Sequence, residues 1–78
     1  MFQSQSVVRS HLELLTEILE LCREPKAKTQ IMHETDITLK KLQYCLKQLM
    51  KQNMIEFHHR KKTYTTTENG LRHLQLLT

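Results

Sequence analysis

One glycine, one proline, two cysteines and no tryptophan occur in the 78 residues, and each scarcity closes off a class of protein. With Gly70 as the sole glycine there is no Gly-rich loop to cradle a phosphate. No serine stands beside a convincing base, and no histidine pair at helical spacing brackets an acid. Catalysis, a cofactor site and a bound metal are therefore not expected. Cys22 and Cys45 are too few for a disulfide framework or a metal knuckle, and both sit inside apolar helical patterns where a thiol packs as a small hydrophobe. Apolar runs fall well short of the roughly 20 residues that cross a bilayer. The opening MFQSQSVVRSH has no hydrophobic block followed by a small-residue cleavage site. The expectation is a cytoplasmic chain with reduced cysteines and no membrane partner.

What is present suffices for one fold. Hydrophobic residues make up 38% and charged residues 26% of the chain, a balance outside the disordered and low-complexity ranges. So short a chain forms a single domain, residues 1–78, with a core near the lower limit for unaided stability. Residues 1–6 read as a frayed polar start. Dimerisation would supply area that one copy lacks.

A helical period begins at Val7 and runs to Cys22, with Val8, Leu12, Leu15, Ile18 or Leu19, and Cys22 in one inward stripe. Leu14 and Leu21 widen that stripe, which means either burial by several neighbours or a dimer surface. Pro25 ends the helix by biasing its predecessor away from helical geometry. Ala27 and Lys28 offer at most a token extended segment. Thr29 is placed to cap a short helix over 30–34 that buries Ile31, and His33-Glu34-Thr35-Asp36 reads as a turn. Thr38, with Asp36 nearby, then caps a third helix whose inward groups are Leu42, Cys45, Leu46, Leu49 and Met50, with Leu39 at the edge.

Asn53 suits the left-handed position that closes a helix. After it the period switches from helical to alternating: Met54-Ile55-Glu56-Phe57-His58 and Thr63-Tyr64-Thr65-Thr66 read as two strands. No Gly or Asn-Gly fixes the turn at His59-Arg60-Lys61-Lys62, so its register stays open. Thr67 caps a last helix with Glu68 in its first turn and Leu71, Leu74, Leu76 and Leu77 as its apolar groups. Gly70, in that first turn, implies close packing against the hairpin or the first helix.

Charge is unevenly placed along this order. Residues 37–62 hold Lys40, Lys41, Lys47, Lys51, Arg60, Lys61 and Lys62 against Glu56 alone, a formal +6 in a chain of net +4. Residues 1–36 carry −2 and residues 63–78 are neutral. An oriented positive field points to a polyanionic partner, the alternative being a solvated helix face.

The order of helices and hairpin, with Lys28-Thr29-Gln30-Ile31, Thr38-Leu39-Lys40-Lys41-Leu42, Asn53-Met54-Ile55 and Tyr64-Thr65-Thr66-Thr67-Glu68-Asn69-Gly70, resembles the small winged helix-turn-helix proteins of archaea and their viruses. The resemblance covers about nine tenths of the chain, starting with a first helix over 9–19. It implies an α+β fold: three helices, a two-stranded hairpin wing, a possible minimal third strand and a C-terminal helix. Relatives usually carry glycine where Asn53 stands. Some extend the last helix into a long antiparallel coiled coil, which in this sequence would be limited to about two or three turns.

The resemblance also implies double-stranded DNA as partner and a homodimer as working form. On the recognition helix the candidate contacts are Thr38, Lys40, Lys41, Gln43, Tyr44, Lys47 and Lys51; on the wing they are His59, Arg60, Lys61 and Lys62. Thr38 is either cap or contact, since one hydroxyl does both poorly. Tyr44 meets a phosphate or packs on the second helix. His58 and His59 should point to opposite faces of a strand. Leu14, Leu21, Leu74 and Leu77 are the candidate dimer surface. The expected function is sequence-dependent transcriptional regulation, at the nucleoid if the cell is prokaryotic. A non-specific architectural chromatin protein and a winged-helix adaptor for protein partners are the alternatives.

Overall fold

A computed structural model describes residues 10–77. In chain order they form α1 (His11–Leu21), β1 (Lys26–Ala27), α2 (Lys28–Thr35), α3 (Leu39–Lys51), β2 (Ile55–His58), β3 (Thr63–Thr66) and α4 (Glu68–Leu77). The strands make one antiparallel sheet in the order β1-β3-β2. This is the α+β winged helix-turn-helix architecture, with the minimal third strand supplied by β1. The frayed start expected for 1–6, and the apolar period at Val7 and Val8, lie outside the described residues.

Side-chain caps set the helix ends. Ser10 Oγ accepts the Glu13 N–H at 3.1 Å while Glu13 Oε1 accepts the Ser10 N–H at 2.9 Å, a reciprocal capping box that starts α1 at His11. At the other end of α1, the Leu19 carbonyl accepts the Thr66 hydroxyl at 2.6 Å and the Cys22 carbonyl accepts the Thr66 N–H at 2.8 Å. The last residue of β3 thus satisfies carbonyls that a helix terminus leaves orphaned.

The second helix differs from the sequence expectation at both ends. It starts at Lys28, with Ala27 in the cap position and the Ala27 N–H donated to Gln30 Oε1 at 2.9 Å, so Thr29 lies inside the helix and caps nothing. It continues to Thr35, whose buried hydroxyl donates to the Ile31 carbonyl at 2.7 Å. The turn read over 33–36 shrinks to Asp36, which adopts φ 55° and closes α2; it does not cap α3. Thr38 alone does that, accepting the Lys41 N–H at 3.2 Å.

At the far end of α3 the Met54 N–H reaches the Leu49 carbonyl at 2.9 Å and the Asn53 N–H reaches Met50 at 3.0 Å, with Asn53 at φ 61°. These two bonds and the left-handed residue between them are a Schellman closure, the role expected of Asn53. β2 then pairs with β3 in the register Ile55↔Thr66, Glu56↔Thr65, Phe57↔Tyr64 and His58↔Thr63. The start of α4 is stitched onto the corner after α3. Thr67 donates its N–H to Met54 O at 2.9 Å and its hydroxyl to Asn53 O at 2.6 Å, while Asn69 Nδ2 reaches Gln52 O at 3.2 Å. Thr67 Oγ1 also accepts the Gly70 N–H at 3.1 Å, which is its expected cap. Gly70 lies against the Met54 carbonyl and Thr66 Cγ2, so the close approach its lone occurrence implied is to the root of the wing.

The core joins Leu14, Ile18, Leu19 and Cys22 of the first helical segment to Ile31, Leu42, Cys45, Leu46, Leu49, Ile55, Tyr64 and Leu74. Leu39 and Met50, expected at the edge of that stripe and within it, are 47% and 37% exposed. Leu42, Cys45, Leu46 and Leu49 already fill the space, which leaves the flank of α3 open.

Candidate nucleic-acid interface

The inward stripe of α3 fixes what its other side presents. Leu42, Cys45, Leu46 and Leu49 are buried, and 3.6 residues per turn carry Lys40, Tyr44, Lys47 and Lys51 to the opposite face, where all four are exposed. Lys41 and Gln43 are exposed on the flanks. None of these lysines lies within ion-pair distance of a described acid, and no described residue hydrogen-bonds the Gln43 amide.

One flank of α3 is closed by α1. His11 Nε2–H donates to Gln48 Oε1 at 2.8 Å, and the His11 ring stands 5.6 Å from that of Tyr44. Lys41 Nζ sits 5.9 Å from the Tyr44 centroid, within reach of its negative π-face. Tyr44 therefore stands beside α1, a neighbour its place in the sequence did not point to. It remains 59% exposed, with its hydroxyl edge free. His11 and Gln48 form a contact that no local sequence signal announces. An open hollow of about 240 Å³ beside them is lined by Tyr44, Lys47, Gln48 and Lys51.

The wing is built on an aromatic root. Phe57 and Tyr64 face each other across the strands at 4.8 Å, and His59 meets Phe57 edge-on at 4.9 Å. His58 turns to the other face, with Nε2 3.6 Å from Glu56 Oε2, so the two histidines diverge as strand alternation requires. The loop over 59–62 closes through the Lys62 N–H to His58 O at 2.8 Å. Lys62 takes φ 57°, a conformation that glycine or asparagine adopts with less strain. Arg60, Lys61 and Lys62 are exposed and have no described acid within ion-pair distance. An open groove of about 520 Å³ separates this tip from Pro25.

Neither cysteine is equipped as a nucleophile. Burial pushes the Cys22 thiol up to about 12, only partly opposed by Lys26, and burial raises Cys45 likewise against Lys41. Among the described residues no group of three His, Cys, Asp or Glu could hold a metal, and no helix is long and apolar enough to cross a membrane.

The expected dimer surface is corrected at two positions. Leu14 and Leu74 are buried in the monomer and offer nothing to a second copy. Leu21 is half-buried, and the side chain of Leu77 lies outside the described residues. Among the described residues the exposed leucines of these helices are Leu12, Leu71 and Leu76, the last 84% exposed.

Helices α1 to α3 followed by a charged antiparallel hairpin define a winged helix module, of the kind whose third helix enters the major groove of DNA. A family model described as winged helix-turn-helix matches residues 8–78, and the chain belongs to that family. No curated protein matches it significantly.

Proposed function

We propose that the chain binds double-stranded DNA as a homodimeric, sequence-dependent transcription regulator. In this reading α3 lies in the major groove and the wing tip follows the adjacent backbone or minor groove. The observation that carries it is the placement on α3 and the wing of seven cations with no acid partner among the described residues, one of them Lys62 in a strained left-handed conformation. A strained residue at a turn that Gly or Asn would close more easily points to a role for the side chain itself.

Lys40, Lys47 and Lys51 meet phosphates, with Lys41 at the edge beside Tyr44. Arg60 is the side chain best suited to a narrow minor groove, where the negative potential is strongest. Thr38 serves as cap, its hydroxyl already engaged by Lys41 N–H. Two copies meet through exposed leucines of α1 and α4: Leu12, Leu71 and Leu76. The test is selection of bound duplexes from a random pool at moderate salt. Enrichment of two half-sites about one helical turn apart supports regulator and dimer together. Salt-sensitive binding with a flat sequence profile supports an architectural role, and no duplex binding at low salt rejects the reading.

A further inference from the structure

We infer that α3 selects A·T base pairs through Leu39 and Gln43, with Leu39 against a thymine 5-methyl group and Gln43 bidentate to adenine N6 and N7. This rests on the reading of α3 as the groove-facing helix. Three observations single out the pair. Leu39 is the first residue of α3 and 47% exposed, although Thr38 performs the cap and the buried stripe begins only at Leu42. Neither capping nor the core accounts for a leucine there. Gln43, one turn further on the same flank, has no described hydrogen-bond partner, so both its donor and its acceptor are open. The opposite flank, by contrast, is engaged: Gln48 is bonded to His11 and Tyr44 is packed beside it.

The chemistry of the remaining exposed side chains narrows the choice further. Lysines on the outer face attract phosphates of any sequence and carry little information. A thymine methyl is the apolar feature of the major groove, and an amide matches the donor and acceptor edge of adenine. Leu39 and Gln43 are separated by about 6 Å along the helix axis, which addresses base pairs one or two steps apart.

The experiment uses the tightest duplex selected from the random pool, with each thymine replaced singly by deoxyuracil, which deletes only the methyl group. At one thymine the expected loss is about fourfold in affinity, the value of one buried methyl, and Leu39→Ala should be indifferent to the same replacement. Replacing adenine by 7-deazaadenine one or two steps away should weaken binding by about fivefold or more in the parent chain and not in Gln43→Ala. Both side chains are exposed, so neither variant threatens folding; circular dichroism checks this. Salt-sensitive binding that ignores every thymine-to-uracil change, or a loss that persists in Leu39→Ala, would overturn this inference while leaving DNA binding intact. Failure to bind any duplex at low salt would remove both.

Discussion

Replacing Gly70 by alanine sets two effects of opposite sign against each other. Gly70 lies in the first turn of α4 and has no positive φ, so on helix propensity alone Gly70→Ala should stabilise by up to about 1 kcal/mol. The neighbours decide otherwise. An alanine Cβ would press on the Met54 carbonyl oxygen and come within 2.6 Å of Thr66 Cγ2. That carbonyl is held by the Thr67 N–H at 2.9 Å, and Thr66 is held by its own hydroxyl bond to Leu19 O at 2.6 Å. Neither can retreat without loosening a hydrogen bond worth about 1 kcal/mol. Overpacking adds about 1–3 kcal/mol. The net expectation is destabilisation by about 2 kcal/mol, or a fall in Tm of roughly 8–16 °C for a domain of this size. Thermal and urea unfolding followed by circular dichroism measure it. Adding Thr66→Ser, which removes Cγ2 and keeps the hydroxyl, should recover part of the loss. A Gly70→Ala variant as stable as the parent, or more so, would refute the argument that this corner is sterically closed.

Three further outcomes are expected. Reversing charge at Lys61 and Lys62 should weaken binding to all duplexes alike and flatten the dependence of log K on log salt by about 0.9 for each phosphate no longer neutralised; an unchanged slope in a fluorescence-anisotropy titration would take the wing off the DNA. Lys62→Gly should move two readouts in opposite directions, raising stability by about 1 kcal/mol through relief of its φ of 57° while lowering affinity for DNA. Stability should also fall as pH rises above about 9. Below that value Cys22 is neutral in both states, whereas between 9 and about 12 the unfolded chain releases a proton that the folded chain retains, costing up to about 1.4 kcal/mol per pH unit. Cys45 and, above 10, Tyr64 act in the same direction, since burial raises both. Urea midpoints compared between pH 8 and 10.5 test this, and Cys22→Ala should show a shallower decline.

Much of the fold is legible in the sequence where a signal is local. Thr38, Asn53 and Thr67 cap or close their helices as their residue types suggest, because the bonds involved span only a few residues. The second helix is less legible. Thr29 has the residue type of a cap, yet Gln30 reaching back to Ala27 and the β1 pairing of Ala27 with Thr63 place the start two residues earlier than the expected first residue, Gln30. His33-Glu34-Thr35 reads as a polar turn until Thr35 is seen to return its hydroxyl to the Ile31 carbonyl inside the core. Leu14 is surplus to what one packing face needs; α1 is in fact packed by α2, β3 and α4 together. At the site, clustering of charge is evident from composition. The meeting of His11 with Tyr44 and Gln48 is not, because it joins residues more than thirty positions apart and no pattern in either helix requires it.

The root of the wing has a mechanical consequence. Met54 and Thr66, where the hairpin leaves the body, are held by hydrogen bonds to Thr67 and Cys22, whereas Arg60, Lys61 and Lys62 at its far end touch no described acid. Beyond that clamp β3 is held a second time, Tyr64 and Thr63 pairing with Lys26 and Ala27 of β1, so only the loop over 59–62 projects past the sheet. A lesion at Gly70, which touches no nucleic acid in the proposed complex, would therefore reach the wing's lysines only by loosening this doubly held frame at Met54 and Thr66.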